Sequence, residues 1–328
     1  MPSALPWIRA LGASLLTLAL VPAQAASPNA NYPTRPIKMV VAAPTGGLPD
    51  VIARIVAQHM TTTLGQAVVV ENKPSAGGII ATESVAKAAP DGYTVLLLDL
   101  SPLTINPTLY KKLPYDAANG FAPVRMLGIA PLFLVTNPSV PAKTFQELVA
   151  MVKAAPGKHT YGTIGVGSLH HIAFEEIKAA TGMDMLHVPF REQPSGPVVA
   201  GQVDMILAGL PSIEGFVRGN RLNMIAVSTS KRAPQAPALP TIAESGLPGY
   251  DLSADIGVIA PKGTPPDVIS TLSNALADAL KQPDTLARFN ELGILAADMP
   301  AEAYAAHIRK EMQRFAKSVT AAGLAGSN

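Results

Sequence analysis

Residues 37–56 read IKMVVAAPTGGLPDVIARIV, and residues 159–177 read HTYGTIGVGSLHHIAFEEI. The first stretch opens with a short apolar run, Ile37 to Ala42, which breaks at Pro44-Thr45-Gly46-Gly47; Val51, Ile52, Ile55, Val56 and Met60 then recur at helical spacing. A second apolar run, Ala67 to Val70, follows Gly65. The later stretch repeats that order: His159 to Ile164, the glycine loop Gly165-Val166-Gly167-Ser168, a helix carrying Ile172, Ala173, Glu176 and Ile177, then the run Met183 to Val188. Each is a strand, glycine loop, helix, strand unit, which builds a mostly parallel sheet with helices on both faces. Two units this far apart predict an α/β chain with two sheets, hence two lobes with a ligand cleft between them.

Working outward, Asp91-Gly92 is a turn ahead of the buried run Tyr93 to Leu98. Thr144-Phe145-Gln146-Glu147 is a capping box that opens a helix ending near Pro156-Gly157. Thr264 is the expected N-cap of a further helix whose apolar stripe is Val268, Ile269, Leu272 and Leu276, and Pro300 opens a last one with Tyr304, Ile308, Met312 and Phe315 inward. The 31 prolines mark boundaries rather than a low-complexity linker, so disorder is expected only at Ala26 to Asn31 and Gly326-Ser327-Asn328. Ile129 to Val135 and Leu252 to Ala260 read as the crossings between lobes. Lobe one is then discontinuous, residues 26–131 plus 253–328, and lobe two is residues 132–252.

The first 25 residues read as a secretory signal: Arg9 is the only charge, an apolar run spans Ala10 to Val21, and Ala23-Gln24-Ala25 supplies a cleavage site after Ala25. Pro22 interrupts the run well short of the ~20 apolar residues of a membrane anchor. An exported protein that is soluble and periplasmic is the expectation. Without the leader, 24 Lys and Arg stand against 23 Asp and Glu, with no basic run, which argues against nucleic acid as the partner. The absence of cysteine excludes disulfides, thiolate nucleophiles and cysteine metal sites.

Both glycine loops sit where a strand hands over to a helix. There the unpaired N–H groups and the positive end of the helix dipole favour an anion, and glycine lets a ligand oxygen come close to the main chain. Two such loops facing each other would clamp a carboxylate. Neither carries the Gly-Lys-Ser/Thr phosphate fingerprint or the three-glycine dinucleotide spacing, so no cofactor is expected. His170-His171 beside Ser168 lacks both the i, i+4 spacing of a zinc helix and a Gly-x-Ser-x-Gly elbow, so neither a metal site nor a catalytic residue is assigned. One histidine is read as a ligand or loop-ordering donor and the other as a surface or packing residue. Arg191, after Val188-Pro189-Phe190, offers a forked donor, and Ser101, Thr104 and Asn106 offer side-chain donors past a strand end. Asp255, in an apolar segment, is either exposed or paired with a cation.

These segments resemble the Bug family, the extracytoplasmic solute receptors of tripartite tricarboxylate transporters. The resemblance runs from about Tyr32 to Gly323 and is carried by Gly46-Gly47-x-x-Asp50, Val70-Glu71-Asn72-Lys73-Pro74-x-Ala76-Gly77-Gly78, Ile105-Asn106-Pro107, Gly165-x-Gly167-Ser168-x-x-His171, His187-Val188-Pro189-Phe190 and Glu244-x-Gly246-Leu247-Pro248-Gly249-Tyr250, among others. It implies a two-lobed, type II-like periplasmic binding fold that closes on a carboxylate-bearing solute and delivers it to a membrane permease, working as a monomer without turnover. The family's two ligand loops map onto Pro44 to Asp50 and Thr163 to His171; joined to the residues read above, the candidate ligand-binding set is Ala43, Thr45, Gly46, Gly47, Leu48 and Asp50 in loop one; Thr163, Gly165, Val166, Gly167, Ser168 and His171 in loop two; and Ser101, Thr104, Asn106, Phe190, Arg191, Gly209 and Asp255 around them. Three departures from the family pattern stand out. Ala42-Ala43 replaces Pro-Phe, Ala208-Gly209 replaces Asp-Asn, and Ala254-Asp255-Ile256 stands where an aromatic is usual. They open two ligand readings: a bulkier, aromatic carboxylate, or an amino acid whose amino group meets Asp255. A ligand sensor feeding a signalling system and an exported hydrolase are the alternative functions.

Overall fold

The computed structural model describes residues 31–327. The expected leader and its cleavage site, and all of the Ala26 to Asn31 stretch except Asn31, lie outside the described residues, as does Asn328. Strand β1 (Ile37–Val41) buries Ile37, Met39 and Val41 and leads into helix α1 (Leu48–Leu64), whose Ile52, Val56 and Met60 lie in the same apolar core. β2 (Val68–Asn72), α2 (Ile79–Ala86), β3 (Thr94–Asp99), the single-turn helices α3 (Ser101–Thr104) and α4 (Asn106–Leu109), and β4 (Phe121–Pro131) follow. The chain then enters a second sheet through β5 (Phe133–Thr136), α5 (Phe145–Ala154), β6 (His159–Thr163), α6 (Leu169–Thr181), β7 (Met185–Pro189), α7 (Ser195–Val199), β8 (Met205–Ala208), α8 (Glu214–Arg218) and β9 (Asn223–Val227). It returns to the first sheet with β10 (Ser253–Pro261), α9 (Pro266–Leu280), α10 (Pro283–Glu291), β11 (Leu295–Pro300) and α11 (Ala301–Ala321).

The six-stranded sheet has the order β11-β4-β10-β3-β1-β2 and the five-stranded sheet the order β7-β6-β8-β5-β9. The expected α/β chain with two helix-flanked sheets is present. In the first sheet β1 to β4 share a direction and β10 and β11 oppose it; in the second β6 to β9 share a direction and β5 opposes it. The reversals follow from the crossings. β4 leaves the first sheet at the edge where β10 re-enters it, since Ser253 pairs with Pro131, so β10 must run back the other way. β5 likewise starts at the edge where β8 and β9 end, with Phe133 opposite both Ala208 and Val227. The carboxyl ends of the parallel strands therefore face the crossings in both sheets, where open sheets place ligands.

Ser228 ties the two crossings together. Its hydroxyl accepts from Leu132 N–H (3.0 Å) and donates to Leu252 O (2.6 Å), while its N–H reaches Leu132 O (2.8 Å) and its carbonyl accepts from Leu252 N–H (3.0 Å). α11 also joins the lobes: Phe315 and Val319 lie in one apolar cluster with Leu169, Ile172 and Phe174 of α6. Arg314 and the Ser318 hydroxyl each donate to one carboxylate oxygen of Glu176, at 3.1 and 2.6 Å. The capping box at Thr144 and Glu147 forms in full. Thr264, by contrast, is not an N-cap: Pro265 holds that position, and the Thr264 hydroxyl donates to Pro261 O at 2.8 Å, closing the preceding turn instead. Among the described residues no helix is long and apolar enough to cross a membrane.

Candidate functional site

Loop one follows β1, and its shape is set by a carboxylate. Asp50, 2% exposed in the first turn of α1, accepts the Gly46 N–H (2.9 Å), Arg54 Nε (3.0 Å) and Asn72 Nδ2 (2.9 Å). Burial by itself would raise the Asp50 pKa, but those bonds and the Arg54 charge hold it below the ordinary value. Asn72 also donates to Ala43 O (3.1 Å), and Thr45 donates to Asn72 Oδ1 (3.3 Å). Asp50 is thus an internal brace, and Ala43 is buried in the lobe's core. Thr45 and Gly46 are exposed, and Gly47 and Leu48 are half-exposed at the mouth of the helix. Gly47 N–H closes the turn onto Pro44 O at 3.1 Å. Asn72 stands in the Val70 to Gly78 motif, but its support of loop one and that of Arg54 were not expected; a side-chain amide ending a strand beside an Asp-containing loop is the signal that pointed there.

Loop two is built differently. Ser168 caps α6, its hydroxyl accepting from His171 N–H (3.3 Å) and donating to Gly165 O (2.8 Å). The buried His171 ring accepts the Gly167 N–H at Nδ1, 3.0 Å away. Thr163 bridges to Gly165 and to His187. His171 therefore orders the loop, but as an acceptor at Nδ1 rather than as the expected donor. Burial lowers the His170 pKa to about 4, and among the described residues its Nδ1 has no hydrogen-bond partner. The first turn of α6 carries no acid, whereas that of α1 carries Asp50, so the positive helix end is less compensated at loop two. Ile164 and Val166 are exposed on this loop, and Ile80 is exposed just after Gly77-Gly78, beyond the strand that follows loop one.

Helix α3 lies against Gly78 and helix α4 against Gly167. A Cβ on Gly78 would touch Pro102 and Ala42, and one on Gly167 would overlap the Leu109 side chain. Thr104 and Asn106 are each 2% exposed. Thr104 donates to Leu100 O (3.0 Å), and Asn106 donates to Gly77 O (2.8 Å) and to the Tyr115 hydroxyl (3.1 Å), so both shape the scaffold. Ser101, Thr104 and Asp255 share a cavity of about 10 Å³ with Asp99, Leu169 and Glu311, room for roughly one water. Asp255 is 9% exposed, accepts the Ser253 hydroxyl at 2.5 Å and pairs with His307 Nε2 at 2.6 Å. That hydrogen bond raises the His307 pKa against the pull of burial. Asp255 is therefore paired rather than exposed, and its partner His307 is a cation when protonated. Phe190 donates its N–H to Thr163 O (2.9 Å) and packs beside the second lobe's core, Gly209 O accepts from Ser212, and Arg191 is exposed on the turn. Leu109, His187 and His307 were not singled out, because each acquires its role only through a partner distant in sequence.

Residues 52–324 match the family described as the tripartite tricarboxylate transporter family receptor. Among solved structures, the chain is similar to the R. palustris protein Rpa4515 with adipate, at a TM-score of 0.80 and 30% identity, over 90% of this chain and 99% of that one. It is similar to the periplasmic binding protein BugD at a TM-score of 0.78 and 32% identity, over 90% and 99%. The likeness to MatC from Rhodopseudomonas palustris with bound malate has a TM-score of 0.77 and 30% identity, over 88% and 100%.

Proposed function

Because the chain belongs to the tripartite tricarboxylate transporter receptor family, whose members are solute-binding receptors, we propose that it captures a small carboxylate-bearing solute between its lobes. It works in the periplasm, as a monomer, and hands the solute to the transporter's membrane permease. The observation that carries this reading is loop two: a glycine turn opens onto the N-terminus of α6, no acid offsets the helix dipole, and two similar proteins hold the dicarboxylates adipate and malate. The carboxylate lies against Val166, Gly167 and Ser168 on one side and Thr45, Gly46, Gly47 and Leu48 on the other. The exposed side chains of Ile164, Val166 and Ile80 favour a solute with an apolar body, a longer-chain or aromatic acid. Asp255 is already bonded to His307 and Ser253, which weighs against an amino acid as ligand.

Binding without turnover is the matching reading of Ser168 and His171. The Ser168 hydroxyl donates to Gly165 O, and His171 Nδ1 is occupied by Gly167 N–H, so no serine and base face each other as an activated nucleophile requires. Lobe one is taken as residues 26–131 with 253–328 and lobe two as 132–252, closing about the segments that Ser228 joins. A thermal-shift panel of adipate, malate, benzoate and the corresponding amides tests the reading. Stabilisation by one or more acids but not by their amides is expected; equal stabilisation by acid and amide would refute the anion grip.

A further inference from the structure

Beneath loop two lies a pile of rings that solute capture leaves unused. His171 on α6 and His187 on β7 stack with centroids 3.9 Å apart and planes 10° from parallel, and His187 lies 5.1 Å from Tyr161 on β6. Each imidazole is connected to the loop. Gly167 N–H donates to His171 Nδ1 at 3.0 Å. His187 Nε2 is 2.7 Å from the Thr163 hydroxyl, which accepts the Gly165 N–H at 3.2 Å and stands 3.2 Å from Gly165 O. A nitrogen that accepts an N–H cannot also carry a proton, so His171 is the neutral tautomer protonated at Nε2.

We propose that His171 and His187 are positioning residues that hold loop two in its gripping shape only while both rings are neutral, so that acid loosens the loop and weakens solute capture. The proposal rests on the reading that loop two contacts the solute. A proton on His171 Nδ1 would set two donors face to face and release Gly167. A proton on both rings would place two charges within one stack.

The surroundings compensate only in part: the Glu175 charge favours a proton on either ring, while Lys178 opposes one. On α6, Glu175 Oε1 is 3.8 Å from His171 Nε2 but already accepts the Tyr161 hydroxyl (2.5 Å) and Lys178 Nζ (2.7 Å), and Lys178 itself opposes a second cation. On α11, Arg314 is engaged with Glu176 and Glu311. Burial lowers the His171 pKa, and burial together with His171 pushes His187 down to about 4. A loosened loop whose histidines return toward their ordinary value of 6.5 therefore binds more protons than the ordered loop between that value and about 4. Order is complete above the ordinary value and is lost as pH falls below it, by about tenfold per pH unit for each ring that takes up a proton.

The test uses the full mature protein without ligand. Ring titration and amide exchange of Gly165 and Gly167, corrected for intrinsic exchange, are followed by NMR from about pH 8 to about pH 4, the histidine range. Both rings are expected to titrate below the ordinary value, and the protection of the two glycine amides to fall with them. Rings titrating at the ordinary value, or protection unchanged while they titrate, would overturn the proposal. His171→Asn with His187→Gln keeps an acceptor and a donor in place but cannot titrate, and should flatten the pH profile of loop protection. An undiminished profile in that variant would also overturn it. Calorimetry with adipate in parallel separates the two readings. If adipate and the other acids fail to bind at any pH, solute capture falls, while loop exchange still decides the role of the rings.

Discussion

At Gly167 a hydrogen stands where any other residue would drive a Cβ into Leu109, and its φ of 74° is left-handed. Gly167→Ala is expected to cost about 1–2 kcal/mol from backbone conformation alone, and more from the displaced Leu109. Pairing it with Leu109→Ala in a double-mutant cycle measured by chemical denaturation should recover part of that loss; strict additivity would show that the two do not meet. Gly47 differs, since its φ of −67° suits any residue. The sequence marked both glycines as points of close approach to a ligand. It concealed that one of them also admits a side chain from the other lobe, because Leu109 lies 58 positions away in a four-residue helix with no periodicity to read. Asp255 shows the same limit: its need for a cation was legible, but its partner is 52 positions downstream. Because His307 is raised by that bond, the pair stabilises the fold fully below the ordinary histidine pKa and loses its contribution as pH rises through the raised one. The stability gap between wild type and His307→Gln should therefore narrow as pH rises above the ordinary histidine value. A gap that widens would contradict the pairing.

Between elements, the clearest join is α11 on α6. Both oxygens of Glu176 are taken by Arg314 and Ser318, with side-chain exposures of 17% for Glu176 and 30% for Arg314. For a site this shielded, Glu176→Ala should lower unfolding free energy by about 1–2 kcal/mol in denaturant titrations. A change below a few tenths of a kcal/mol would mean the contact is incidental. The inward stripe of α11 was legible from Tyr304, Ile308, Met312 and Phe315, since a long amphipathic helix declares its buried face. Its polar bond to the other lobe was not, because Glu176 and Arg314 lie 138 positions apart and no local pattern links them. The strand, glycine loop, helix, strand units appear where the repeated pattern placed them. The reversed strands β5 and β10 did not show in the sequence, since an apolar run carries no sign of its direction.

For the whole molecule, two sheets with their carboxyl edges turned toward a pair of crossings make a cleft, and Ser228 bonds the crossings to each other. Under the proposed function, ligand affinity and lobe closure would be one equilibrium: a solute that contacts both glycine loops would favour the closed form by the difference in its contacts between the two states. The expectation of an anionic solute was legible, because helix N-termini at glycine loops favour anions. Solute identity was not, because it depends on the side chains around the grip, where Ala43 is buried and Asp255 is already paired. The most direct test is mass spectrometry of the solute released when the purified protein is denatured, followed by calorimetric return of that compound to the emptied protein. The expected result is a small carboxylic acid that rebinds at one site, while its amide does not. Recovery of a neutral or purely cationic solute that rebinds equally well would contradict the carboxylate grip.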